Sequence, residues 1–163
     1  MWLGLLALAA LAVGAGLLLM LRSRRRRWDN QLAEEQAQAT WLLTGLLPAV
    51  TNPVTDPALR AAQWTGAQTT LDQLDGGLSG LLGDAPDEDR RQRVSGLAQA
   101  VTAVRAAVSA DLALRTGSAS PAPIDQAALQ ASAGAVEAAR ARLAAALPPP
   151  AGSIPPPGST PPS

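Results

Sequence analysis

The pattern of hydrophobic and polar positions changes character along the chain. From Trp2 to Leu21 the residues are apolar or small, and none is charged. A helix of about 20 such residues, rising ~1.5 Å each, matches a bilayer core of ~30 Å, so residues 1–21 are expected to form a transmembrane anchor. Arg22, Arg24, Arg25, Arg26 and Arg27 follow directly, with only Ser23 among them, and set off an Arg-rich flank over 22–27. From Trp28 onward the period becomes helical and amphipathic. Trp28, Leu32, Ala39, Leu42, Leu43 and Leu46 form one face, and Gln31, Glu34, Glu35 and Gln38 fill the other. This predicts a helix over 28–47, continuous with the anchor and ended by Pro48. Thr51-Asn52-Pro53 and Thr55-Asp56-Pro57 then keep the chain in turns.

Three more helices are predicted. The first covers 57–82, capped by Asp56 with Pro57 at its first position. Its apolar face is read as Leu59, Ala62 or Ala67, Trp64, Leu71, Leu74, Leu78, Leu81 and Leu82, with a kink expected at Gly76-Gly77 and a stop at Gly83. The next covers 85–115, with Asp84 as its cap and Asp87, Glu88 and Asp89 at the positive end of the helix dipole. Val94, Leu97, Val101, Val104, Val108 and Leu112 form its seam, and Asp111 falls on that seam where an apolar residue is expected. The last covers 125–147. It carries Leu129, Val136 and Leu143 at intervals of seven, a hydrophobic staple from Ile124 to Leu129, and alanine elsewhere. Its apolar face is thin, so it is expected to be the least firmly held.

Residues 148–163 hold eight prolines among 16 positions. Such a stretch favours polyproline or disordered conformations, and serves either as a solvated tail or as a ligand for an aromatic-lined groove. Strand-like alternation and internal repeats are absent from the pattern. The expected fold is therefore all-α: an N-terminal transmembrane helix continuing into a small antiparallel three- to four-helix bundle over 28–147, then a disordered Pro-rich tail.

Charge adds an orientation. The 163 residues carry 13 arginines and 13 acidic groups for a net charge of zero. Five of those arginines lie in 22–27, so the part from Trp28 onward is left with eight against 13, a formal −5. That excess excludes nucleic acid as a partner of the body, because phosphate binding needs a basic face. Arginine-rich flanks stay on the cytoplasmic side, so the N-terminus is expected outside and the body and C-terminus in the cytoplasm. Only Met1 precedes the apolar run and no basic group leads it, which favours a retained signal-anchor over a cleaved signal. Arg22, Arg24, Arg25, Arg26 and Arg27 are expected beside anionic lipid headgroups, with Trp2 and Trp28 as interface indoles bracketing the anchor. Packing on a later helix is the other reading of Trp28. The spacings Ala10 to Gly14 and Ala12 to Gly16 allow close approach of membrane helices, a route to a homo-oligomer.

The chain has no His, Cys, Tyr or Phe. This removes thiolate chemistry, the commonest general base and the commonest metal ligand. No catalytic, cofactor-binding or metal-ligating residue is predicted, and no cofactor. Asp72 and Asp75 are read as solvated carboxylates rather than a weak cation site. Arg90, Arg91 and Arg93 are read as partners of neighbouring acids on a solvated face. Trp41 and Trp64 lie on apolar helical faces and are read as core residues, or as aromatics that grip a partner.

The Arg24 to Arg27 stop with Trp28-Asp29, the helix around Trp41-Leu42, and Ala85-Pro86-Asp87 opening a later helix carry a resemblance. The chain resembles uncharacterised single-pass, Ala/Arg-rich membrane proteins of actinobacteria over its first ~115 residues. That family has no assigned activity, so the resemblance implies the architecture only. The expected function is a non-enzymatic adaptor or scaffold that holds a helical bundle at the inner face of the cell membrane for an unidentified protein partner. The alternatives are an accessory subunit of a larger membrane complex, such as one for cell division or respiration, and, behind it, a small-ligand-binding bundle or a membrane-tethered enzyme.

Overall fold

The computed structural model describes residues 2–117 and 126–148, with side chains at 20 and from 22 onward. Every element among the described residues is helical: α1 (Trp2–Trp41), a π turn (Leu42–Leu46), α2 (Leu47–Thr51), α3 (Pro57–Gly83), α4 (Glu88–Gly117) and α5 (Gln126–Ala146). Since α1, the π turn and α2 follow without a break, the bundle has four long members that alternate in direction.

The 40 residues of α1 make a rod of about 60 Å. Its backbone is helical through the predicted anchor, the arginine flank and the first bundle helix. Side chains at 1–19 and 21 lie outside the described set, and with them the expected roles of Trp2 and of the Ala10/Gly14 and Ala12/Gly16 pairs. Among the described residues, one helix is long and apolar enough to cross a membrane: Glu88–Thr116, which falls in α4. The apolar seam of that helix is consumed by the bundle, because Val94, Leu97, Val101, Val104 and Val108 are all buried against its neighbours.

Helix starts and stops differ from expectation in two places. Pro48 does not end the first helix, which runs on to Thr51. In a plain α-helix the ring of Pro48 would collide with the carbonyl of Thr44 and leave it without a donor. The π turn lies directly before it, with Leu47 N–H reaching back to Leu42 O, and this wider turn gives the ring room. The second difference is the cap of α4. Asp87, not Asp84, accepts the backbone N–H of Arg90 at 2.9 Å, and the helix begins at Glu88. Asp56 caps α3 as expected, accepting from Ala58 and Leu59 N–H at 2.8 and 3.2 Å. Helix α3 passes through Gly76-Gly77 without interruption. The expected cap and staple of α5, at Asp125 and Ile124, lie outside the described residues.

The core is one continuous cluster. It joins Trp28, Leu32, Ala39, Leu42, Leu46, Leu47 and Val50 to the leucines of α3, the valines of α4, and Val136, Ala139 and Leu143 of α5. The backbones of α4 and α5 approach each other more extensively than any other pair. The thin alanine face of α5, expected to hold it weakly, is what allows that approach.

Polar residues occupy three seam positions. Arg60 replaces Leu59 as the inward residue at the start of α3; Leu59 is half exposed. Asp111 on α4 and Ser132 on α5 are buried with it. Ser132 Oγ donates to Asp111 Oδ1 at 2.7 Å, and Arg115 binds both carboxylate oxygens at 2.7 and 3.1 Å. Burial pushes the Asp111 carboxyl up, but the hydrogen bonds from Arg115 and Ser132, with the charges of Arg115 and Arg60, outweigh it and hold it below the usual range. One polar layer thus crosses the bundle at the end remote from the arginine flank.

Candidate functional site

Two regions bear on function: the arginine collar where α1 enters the bundle, and a groove lower on the same helix. In the collar, Arg22, Arg24, Arg25, Arg26 and Arg27 are all exposed. Arg24 meets Asp84 of the α3–α4 turn at 3.7 Å, with both side chains mostly in solvent. Such a pair contributes little and leaves the guanidinium free to exchange partners. Met20, just above, is 72% exposed.

Trp28 belongs to the core and not to a lipid interface. It is 3% exposed, and its indole N–H donates to Leu81 O at 3.0 Å. Leu81 lies in the last turn of α3, where carbonyls have no partner within the helix. The indole of α1 therefore caps the C-terminus of α3. Arg90 lies over the other side of the ring, 5.6 Å from its centroid. Its guanidinium bridges Asp29 at 3.1 Å and Asp87 at 2.6 Å, tying α1 to the start of α4. The backbone N–H of Arg90, and then its side chain, hold the Asp87 carboxyl below its usual range. Trp28, Arg90, Asp29 and Asp87 form a clamp directly below the collar.

The remaining charged candidates are accounted for by one another. Arg105 reaches across from α4 to Asp72 at 2.7 Å, Asp75 at 3.2 Å and Gln68 at 2.8 Å. The carboxylates weighed as a cation site thus have a guanidinium as their cation. Arg91 pairs with Glu88 at 2.6 Å. Among the described residues no group of acidic side chains is placed to hold a metal ion. Three buried polar atoms among the described residues lack a hydrogen-bond partner: Oε2 of Glu35, Oε1 of Gln38 one turn on, and Nε of Arg60. Burial, with Glu34 as a lesser cause, pushes the Glu35 carboxyl up. Its carboxyl occupies the space that a side chain on Gly77 would need.

The structure separates Trp41 from Trp64. Trp64 is buried and its indole N–H donates to Ser109 Oγ at 3.2 Å, so it is a packing residue that links α3 to α4. Trp41 is 45% exposed, against the expectation of a core position. It lines a groove of about 510 Å³ between the first helix and α3, with Gly45, Leu46 and Ala49 on its own side and Gln63, Gly66, Ala67 and Thr70 opposite. A Cβ on Gly45 would stand 3.3 Å from the indole Cδ1 and Nε1. The ring therefore lies down over Gly45. Nothing stands within 4 Å of where a Cβ on Gly66 would be, so the floor across from it is open. Sequence reasoning singled out Trp41 but missed the two glycines that make it accessible.

Compared with known proteins, the chain matches no family model, no curated sequence and no solved structure. The functional reading therefore rests on the residues themselves.

Proposed function

We propose that this chain is a non-enzymatic, single-pass membrane protein. It holds its helical bundle at the inner face of the cell membrane as an adaptor for a protein partner. The observation that carries this reading is α1, whose 40 residues join the uncharged apolar run, the five exposed arginines and the first core helix of the bundle in one element. A bundle built on its own anchor is held against the headgroups, and the collar supplies the cations that keep it on the cytoplasmic side. The N-terminus is then outside. Docking falls to the Trp41 groove, the exposed indole being the kind of rigid apolar contact that interfaces use. The likeness to anchored actinobacterial proteins fits this layout and adds no activity to it.

Fractionation tests the reading. The full chain is expected in the membrane pellet after a carbonate wash, and release into the supernatant would overturn it. A reporter fused after Ser163 is expected to be active only in its cytoplasmic form. Activity of an export-dependent reporter would reverse the orientation.

A further inference from the structure

We infer that the Trp41 groove is the docking site of the chain's own Pro-rich C-terminal segment, residues 149–163. The inference rests on the groove being a docking surface, as proposed above. Three observations carry it. The first is chemical fit. A proline-rich strand has few N–H groups and offers carbonyl acceptors and flat apolar rings. The groove presents the matching set: a half-exposed indole, an amide at Gln63 and a hydroxyl at Thr70 as donors, and a floor of Gly45, Gly66 and Ala67 that a ring can approach. Aromatic-lined grooves recognise polyproline conformations in this way.

The second is charge. None of the eight groove residues is charged, and residues 148–163 contain no charged side chain. Elsewhere the bundle surface is laced with Arg–Asp and Arg–Glu pairs. An uncharged strand desolvates no ion in an uncharged groove.

The third is reach. Helix α5 contacts the π turn that carries Gly45. It is 21 residues long, so none of it lies more than about 30 Å from that contact along its axis. Leu147 packs on the core and donates its N–H to Leu143 O, which fixes where the segment departs. In polyproline form the 15 residues beyond Pro148 reach ~46 Å, enough to pass the first helix and lie in the groove.

The chain has no cysteine, so Ser153→Cys accepts a single nitroxide label on the full protein in phospholipid nanodiscs. The indole N–H resonances report proximity. The Trp41 signal is expected to lose most of its intensity while that of Trp28, 13 residues and about 20 Å away along α1, keeps much more of it. Gly66→Leu, whose side chain enters open groove space, is expected to restore the Trp41 signal without unfolding the bundle. Equal attenuation of Trp41 and Trp28, no attenuation, or attenuation that survives Gly66→Leu overturns the inference. Broadening seen only between labelled and isotope-enriched chains would place the tail on a second copy and overturn the intramolecular form. None of these results alters membrane retention, so failure here is distinct from failure of the anchor reading.

Discussion

Replacing Trp28 separates a core clamp from an interface indole. A tryptophan buries about 200 Å² on folding, and at ~25 cal/mol per Å² that is on the order of 5 kcal/mol. Alanine keeps part of this, and buried Trp→Ala changes cost about 3–5 kcal/mol. With Trp28 at 3% exposure the full range applies. Trp28→Phe retains most of the area but leaves Leu81 O without its donor, a loss of about 1–2 kcal/mol. Against a domain stability of roughly 5–15 kcal/mol, the alanine variant should lower Tm by on the order of 10 °C. Urea denaturation of the full chain in detergent, followed by the fluorescence of the remaining tryptophans, measures both. The order expected is wild type, then Trp28→Phe, then Trp28→Ala. An alanine variant within ~0.5 kcal/mol of wild type, the scale of a surface substitution, would refute the clamp.

Trp41→Ala is expected to cost less than ~1 kcal/mol in the same assay, because its ring is half in solvent, whereas Trp64→Ala should approach the Trp28→Ala value. Gly76→Ala should stabilise by about 0.5–1 kcal/mol, since nothing obstructs its Cβ; Gly77→Ala should gain less or lose, since its Cβ displaces the Glu35 carboxyl. Asp111 titrates below its ordinary 3.8 in the folded chain, so its contribution is complete above that value and is lost as pH falls through the folded pKa. Asp111→Asn should cost about 2 kcal/mol at neutral pH and flatten the acid limb of a stability–pH curve. Glu35 has the opposite sign. Its folded pKa lies above 4.5, so stability falls as pH rises through that window, and Glu35→Gln should raise stability at pH 7 by denaturant midpoint.

The helical periods made most of the bundle legible. The α4 seam from Val94 to Leu112 is buried as its spacing requires, and Leu71, Leu74, Leu78 and Leu81 occupy the core of α3. Where period and hydrophobicity disagree, the fold follows period. Stepping back by threes and fours from Leu71 through Ala67 and Trp64 leads to Arg60, not Leu59, and Arg60 is the buried residue. The same step along α4 leads to Asp111, and along α5 to Ser132. Asp111 stands out on its own seam, and across the bundle it forms one layer with Arg60 and Ser132. A single sequence shows where each seam is polar and not that three such positions meet. The cap at Asp87 differs from the expected Asp84 for another reason: both precede a helical pattern, and only the conformation of the α3–α4 turn selects between them.

Trp41 shows the limit of reading a face from apolar content. Trp41, Leu42, Leu43, Leu46 and Leu47 surround the helix, so composition alone does not say which third turns inward. The buried face of α1 decides it: Trp28, Leu32, Ala39 and Leu42 share one side, and Trp41 stands about 200° around the helix from Ala39, facing outward. The π turn then adds a residue between Leu42 and Leu47, so that Leu42, Leu46, Leu47 and Val50 all reach the core. Pro48 gives a physical reason for that turn, since its ring is incompatible with the plain α-helical path. Gly45 lets the indole lie flat, and Gly66 keeps the opposite wall low. The groove thus depends on a proline and two glycines that bring no functional group to it. Their contribution is geometric: the proline goes with the wider turn, and the glycines leave the outward-facing Trp41 beside an open floor, an exposed apolar surface at a fixed place below the arginine collar.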